Sequence, residues 1–293
     1  MTNLAFLGTG TMGMPMARNL AHAGFGVRAW NRSSERASPL VEDGVDVTRD
    51  AGDAVAGADA VITMLSDADA VLGVAEEILP GLHPSAPWLQ MSTIGISGTE
   101  RCAELADRHG RTLVDAPVLG TRQPAEQRKL VILSSGPDRA RAICQPIFDA
   151  VGSRTIWLGQ TGSGTRCKVM VNSWILGVVG VLAETLALAE ALDIDPARFF
   201  EAVDGGPLDL PYARLKGAAM IERSFGDPAF KLALARKDAE LVLEAAARQD
   251  LELPIIEAVT ERMRRVEREG HGEEDMAATY WASAQSFARG RRG

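Results

Sequence analysis

The short apolar run Leu4-Ala-Phe-Leu7 is followed at once by Gly8-Thr-Gly10-Thr-Met-Gly13, which opens a stretch of helical periodicity over residues 12–23. Three glycines at this spacing suit a strand that turns tightly into a helix. The first permits the turn, the second lets a ligand approach the backbone, and the third lets helix and strand pack closely. The helix N-terminus adds N–H donors and a partial positive charge, which favours a pyrophosphate. The pattern predicts a dinucleotide-binding βαβ unit, with Gly8, Gly10, Thr11, Met12 and Gly13 at the cofactor.

The rest of the first half alternates in the same way. Strand patterns fall at 26–30, 59–65, 88–92, 112–116, 130–134 and 155–158, with helical patterns at 68–79, 97–109 and 138–150. Such alternation predicts an α/β, Rossmann-type domain with a mainly parallel sheet. After Gly164 the strand signals stop. One long helical pattern over 165–192 leads to shorter ones at 196–203, 211–220, 232–248 and 254–269, so an all-α domain follows, joined by a long interdomain helix. The boundaries expected are 1–161 for the dinucleotide-binding domain and 162–293 for an all-α substrate and oligomerisation domain.

The end of the second strand bears on which dinucleotide is used. An acidic residue there would hold the ribose 2′-hydroxyl of NAD. This chain has Asn31-Arg32-Ser33 instead. A guanidinium attracts a 2′-phosphate and stacks on adenine, and Asn31 and Ser33 can add hydrogen bonds. NADP is favoured over NAD.

Residues 162–172, Gly-Ser-Gly-Thr-Arg-Cys-Lys-Val-Met-Val-Asn, place Lys168 and Asn172 one helical turn apart on a shared face. Only five of the 31 basic residues are lysines, so arginine is the usual choice where bare charge suffices. A lysine can give up its proton when partly desolvated, whereas arginine keeps its own. Hydride transfer to a carbonyl leaves an alkoxide that needs a proton, and an ammonium beside it stabilises that charge and then donates. Lys129, Lys216 and Lys231 have no comparable context and read as surface residues. Cys167, beside Lys168, points about 100° away on a helix and reads as a core residue. The scattered histidines and acidic residues show no metal-ligand spacing, so no metal is expected.

The 293 residues, 46% hydrophobic and 24% charged, make an ordinary globular balance. A net charge of −8 argues against nucleic-acid or anionic-membrane partners. Cys102, Cys144 and Cys167 have no close pairing and fit reduced thiols in a cytoplasmic protein. No leader is visible before the first strand. The apolar run 174–183 is too short to span a membrane and reads as a buried core helix. The last residues, 289–293, form a basic end.

Several motifs in order give the chain a wider resemblance. They are the 8–13 fingerprint with Met12, Met64-Leu65 after a strand, Ser92-Thr93-Ile94, Asp115-Ala-Pro-Val118, the 162–172 segment, and Phe230 with Lys237-Asp238. The chain resembles the β-hydroxyacid dehydrogenases, which include 3-hydroxyisobutyrate dehydrogenase, tartronate semialdehyde reductase and the glyoxylate/succinic semialdehyde reductases. The resemblance implies that Met64, Leu65 and Thr93 line the cofactor and that Lys237 approaches it from the second domain. It makes Lys168 the catalytic acid/base and Asn172 a substrate contact, and implies a homodimer or tetramer. The segment after Val118 would contact the substrate carboxylate. There the family usually has Pro-Val-Ser-Gly, whereas this chain reads Pro117-Val-Leu119-Gly120-Thr121. Leu119 brings no hydroxyl, leaving backbone N–H groups near Gly120, the Thr121 hydroxyl and Arg122 to bind an anion. The continuation 122–130 is most similar to the glyoxylate/succinic semialdehyde reductase branch.

Together these features imply an NADPH-dependent reductase of small aldehyde or keto acids, working reversibly on a carboxylate-bearing substrate. One alternative is an imine reductase, which Leu119 favours and Lys168 opposes. A second is a non-catalytic cofactor-binding module, opposed by the presence of both Lys168 and Asn172.

Overall fold

The computed structural model describes residues 1–284; the basic end 289–293 lies outside the described residues. The chain divides into two compact units, Met1–Lys168 and Val169–Gly293.

The first unit opens with β1 (Asn3–Leu7), α1 (Gly13–His22), β2 (Gly26–Trp30) and β3 (Asp46–Val47). It continues with α2 (Ala51–Val55), β4 (Ala60–Thr63), α3 (Ala68–Ile78), β5 (Trp88–Gln90), α4 (Gly95–Arg108) and β6 (Leu113–Asp115). These six strands form one parallel sheet in the order β3-β2-β1-β4-β5-β6, the doubly wound arrangement. Strands covered on both faces read as near-continuous apolar runs, which is why 4–7 and 60–63 are legible as strands. Along β1 the side chains alternate. Leu4 and Phe6 pack with Met16 and Leu20 of α1, while Ala5 and Leu7 pack on the other face with Val71 and Trp88.

A second, smaller sheet follows, built from β7 (Val118–Leu119), β8 (Leu130–Ser134) and β9 (Gly152–Trp157), with α5 (Arg122–Glu126) and α6 (Asp138–Val151) between them. Here β7 runs antiparallel to β8, and β8 parallel to β9. The expected mainly parallel sheet is thus two sheets. They meet where Asp115 and Ser135 exchange backbone hydrogen bonds of 2.9 and 2.7 Å. The short β3, β7, α2 and α5 were not legible in the sequence, because segments of two to five residues carry too little periodicity.

The helix α7 (Ser163–Ala191) starts in the first unit and continues into the second. At 29 residues it is long and apolar enough, by length and composition, to cross a membrane. The sequence reading measured only the run 174–183, and the core helix of a soluble protein meets the same length and composition. One side of it, with Leu176, Val179, Leu182, Ala183 and Leu186, is buried.

The second unit adds α8 (Ala197–Val203), α9 (Pro211–Glu222), α10 (Leu232–Ala247) and α11 (Pro254–Val266). Pro211 and Pro254 open their helices, where the missing N–H costs no helical bond. Lys216, expected at the surface, is 3% exposed and donates to both Asp275 carboxylate oxygens at 2.7 and 2.9 Å. A lone lysine on a helix gives no sign in sequence of a carboxylate 59 residues away.

Candidate functional site

Because β1, β2, β4, β5 and β6 are parallel, the residues that follow them emerge along one edge of the sheet. Ligands of open α/β sheets bind at that edge. Gly8 follows β1, Asn31 follows β2, Met64 and Leu65 follow β4, and Thr93 lies just beyond β5.

The glycines divide by what surrounds them. Gly8 has φ +106°, and a Cβ there would run into the Met64 carbonyl and the Leu65 side chain. A Cβ on Gly13 would run into the Gly8 carbonyl oxygen. Both are required by the protein's own packing. A Cβ on Gly10 would meet nothing within 4 Å. Gly10 therefore borders open space at the start of α1, whose first turn has neither an acidic residue nor a side-chain cap. Donors left unpaired at a helix start beside an open glycine suit a dinucleotide pyrophosphate. Thr11 is exposed and Met12 half-buried beside this opening.

The neighbouring loops are braced by hydrogen bonds. Asn31 accepts from the Thr9 N–H through Oδ1 at 3.1 Å and donates through Nδ2 to the Ser33 carbonyl at 3.0 Å. Its amide thus holds the two loops, while Arg32 and Ser33 are exposed beside it. The Ser92 hydroxyl accepts from the Leu65 N–H at 2.8 Å, fixing the loop after β4 against the one after β5. Thr93, next in sequence, is half-buried.

Leu119 ends β7 and is half-buried, and Gly120 follows with φ +124°. A Cβ on Gly120 would press on Leu130 and Pro124, so the left-handed turn there needs glycine. Thr121 precedes α5 without using its hydroxyl as a cap. The Arg122 Nε lies 3.9 Å from the Glu126 carboxylate, a loose and partly exposed pair.

Lys168 is half-buried on the second turn of α7, and Asn172 lies one turn further on. Cys167 is half-exposed rather than in the core, because that side of the first turns is only partly covered. The start of α7 is anchored by Asp115. Its Oδ2 accepts from the Thr165 N–H at 2.8 Å and its Oδ1 from the Thr165 hydroxyl at 2.7 Å. Burial pushes the Asp115 carboxyl above its ordinary value, opposed by hydrogen bonds from Thr165 and Ser135. In the second unit Asn172 is buried and donates through Nδ2 to Asp238 Oδ2 at 2.9 Å. The Lys237 ammonium lies 3.2 Å from the other Asp238 oxygen. Asp115 and Asp238 stand in the sequence motifs, yet nothing there shows what they bond.

Residues 3–159 match the family described as the NAD binding domain of 6-phosphogluconate dehydrogenase. Residues 162–282 match that described as NAD-binding of NADP-dependent 3-hydroxyisobutyrate dehydrogenase. The chain belongs to the 3-hydroxyisobutyrate dehydrogenase-like β-hydroxyacid dehydrogenases. Within that family it is 31% identical to glyoxylate/succinic semialdehyde reductase 1 of Arabidopsis thaliana, over 98% of this chain and 99% of the relative. It is also 31% identical to a probable 3-hydroxyisobutyrate dehydrogenase of Mycobacterium tuberculosis, over 87% and 89% of the two chains. A solved structure of the M. tuberculosis 3-hydroxyisobutyrate dehydrogenase with L-serine superposes with a TM-score of 0.87 at 28% identity, covering 96% of this chain and 98% of that one. Like its relatives, this β-hydroxyacid dehydrogenase is an NAD(P)-dependent oxidoreductase acting on CH–OH groups.

Proposed function

We propose that the protein reduces small aldehyde or keto acids to hydroxy acids with NADPH, and runs the reverse oxidation when the hydroxy acid is in excess. The observation that carries this reading is Lys168 on the second turn of α7, with Asn172 one turn away in a buried hydrogen bond to Asp238. When bound, the nicotinamide supplies the hydride to the carbonyl carbon. Lys168 donates its proton to the carbonyl oxygen as charge develops there, completing the hydroxyl group. Because a carboxylate oxygen only accepts, Asp238 turns the Asn172 Nδ2 toward itself and leaves Oδ1 as the atom Asn172 presents elsewhere. We assign that oxygen to the substrate hydroxyl or to the Lys168 ammonium. The substrate carboxylate is assigned to the backbone N–H at Gly120, the Thr121 hydroxyl and Arg122, with Leu119 against the apolar part of the substrate. Lys237 is assigned to the cofactor, as are Met64, Leu65 and Thr93.

NADPH is preferred on the strength of Arg32, exposed where an acidic residue would otherwise meet a ribose hydroxyl. Arg32→Ala should raise the KM for NADPH about tenfold, near the worth of one charge-assisted contact. It should leave the KM for NADH unchanged. Equal effects on both cofactors, or none, would remove the 2′-phosphate assignment.

Gly10→Ala separates cofactor binding from folding. The added methyl group meets no protein atom, so stability should change by no more than about 0.5 kcal/mol. NADPH affinity should fall about tenfold or more, because the methyl group occupies the pyrophosphate's approach. Gly13→Ala should instead destabilise the fold by about 1–3 kcal/mol through overpacking. Tryptophan-quenching titrations and thermal melts distinguish the two.

The family reading also implies a homo-oligomer. Met170, Trp174, Val181 and Leu188 are exposed along α7 at spacings that put them on one side of the helix. We assign that stripe to a second copy of the chain, and a monomeric mass by light scattering would refute it.

The deciding experiment for activity is oxidation of NADPH and NADH with glyoxylate, succinic semialdehyde, methylmalonate semialdehyde and a cyclic imine. Turnover of aldehyde acids supports the proposal. Turnover of the imine alone, or cofactor binding without turnover, overturns it.

A further inference from the structure

One buried carboxyl group, Asp115, has no place in the steps above, although it sits where they converge. It ends β6 and is 0% exposed. On its C-terminal side the chain runs through Ala116 and Pro117 into β7 and the Leu119-Gly120-Thr121 turn. Its side chain reaches the other way, to the first turn of α7, by the two bonds to Thr165. The Ser135 hydroxyl lies 3.1 Å from Asp115 Oδ2 and accepts from the Gly164 N–H at 2.9 Å. The Thr165 hydroxyl also lies 3.0 Å from that of Thr99 on α4, which donates to the Gly95 carbonyl. Gly164 completes the joint. A Cβ there would run into the Leu133 carbonyl and lie 2.9 Å from the Asp115 carbonyl. The helix start is thus pressed onto the ends of β6 and β8 at backbone contact.

This arrangement exceeds what a helix cap needs. A single side chain satisfying one first-turn N–H suffices to stabilise a helix end. Here consecutive N–H groups, Gly164 and Thr165, are bonded to side chains from the end of β6 and from the residue just after β8, and Asp115, Ser135, Thr165 and Thr99 are all buried. Lys168 lies three residues beyond Thr165, on the next turn of the same rigid helix. A tilt at the clamp therefore moves the Lys168 ammonium, while the same aspartate fixes where the 119–121 turn departs from β6.

We propose that Asp115, through Thr165 and Ser135, is a positioning residue that sets the Lys168 ammonium against the substrate turn 119–121. This rests on the reading of Lys168 as the proton donor. Proton transfer depends steeply on geometry, and a displacement of about 1 Å can cost about 10²-fold in rate. The cofactor cradle at Gly8, Gly10 and Gly13 is built on β1 and α1 and shares none of these hydrogen bonds, so cofactor affinity should not follow the clamp.

The test compares Asp115→Ala, Asp115→Asn, Thr165→Val and Thr165→Ser. Asp115→Ala should lower kcat about 10- to 100-fold while the NADPH dissociation constant stays within about twofold. Asp115→Asn, which keeps an acceptor for the Thr165 N–H, should lose less. Thr165→Val should lose activity that Thr165→Ser restores. If Asp115→Ala does not fold, the threonine pair gives the same reading. Wild-type kcat in Asp115→Ala or Thr165→Val overturns the proposal. So does a parallel fall of kcat, NADPH affinity and melting temperature, which would mean general damage. Two further readouts need no substrate: amide hydrogen exchange over residues 163–169, and the rate at which an amine-reactive ester acylates Lys168. Both should change in Asp115→Ala and Thr165→Val and return in Thr165→Ser. If the wild type reduces nothing in the panel, the activity assignment fails, and these two readouts still decide whether the clamp holds Lys168. Unchanged exchange and acylation would overturn it.

Discussion

Lys168→Ala should lower kcat for the best aldehyde-acid substrate by about 10²–10⁴, the usual worth of a positioned proton donor. That range corresponds to about 3–5.5 kcal/mol of transition-state stabilisation. The alanine methyl group cannot donate, so water must take over from a position the protein does not control. NADPH affinity should stay near wild type, because Lys168 lies outside the glycine cradle. Folding should survive as well, since Lys168 is half-buried and the clamp at Thr165 lies a turn earlier. Lys168→Arg is the informative companion. It keeps the positive charge but holds its proton at all working pH, so charge alone would recover only part of the rate. Full activity in Lys168→Ala, measured as NADPH oxidation under saturating substrate, would remove Lys168 from the reaction.

Asp275→Ala should be among the most destabilising single changes in the second unit. Removing one partner of a buried ion pair leaves the other charge uncompensated and costs about 3–5 kcal/mol. Lys216 would be that charge, at 3% exposure. Asp275 also accepts from the Ala229 N–H at 3.0 Å and from the Ala277 N–H at 3.0 Å, so its loss would unpair backbone groups too. Lys216→Met should cost distinctly less, because methionine fills the volume and Asp275 keeps its backbone donors. At roughly 2–4 °C per kcal/mol for a protein of this size, Asp275→Ala should lower the melting temperature by about 6–20 °C. Equal losses in the two variants would refute this asymmetry.

The glycine cradle and the order of large elements were legible because they depend on local rules. Strand 4–7 reads as a strand because both faces are covered, and the Gly8-to-Gly13 spacing has a specific backbone meaning. Lys168 and Asn172 were legible as a pair because helical spacing alone puts them on one face. Lys216 was misread, since nothing near it in sequence signals Asp275. Cys167 was misread because a helix wheel gives a direction, not what covers it. Asn31 was read as a ligand contact, and nothing in the sequence showed that its amide also braces two loops.

Composition and motif order were enough to place the chain in its fold and family, because a doubly wound sheet with a glycine turn leaves few alternatives. Which residues anchor the start of α7 and Asn172 was decided only by folding. Asp115 reaches Thr165 across 50 residues, Ser135 reaches Gly164 across 29, and Asp238 reaches Asn172 across 66. Partners that distant have no periodicity to link them in the chain. They meet because the sheet brings the ends of β6 and β8 to the start of α7, and because α10 packs its Asp238 into the second unit, where each buried polar group must find a partner or bear the full cost of desolvation.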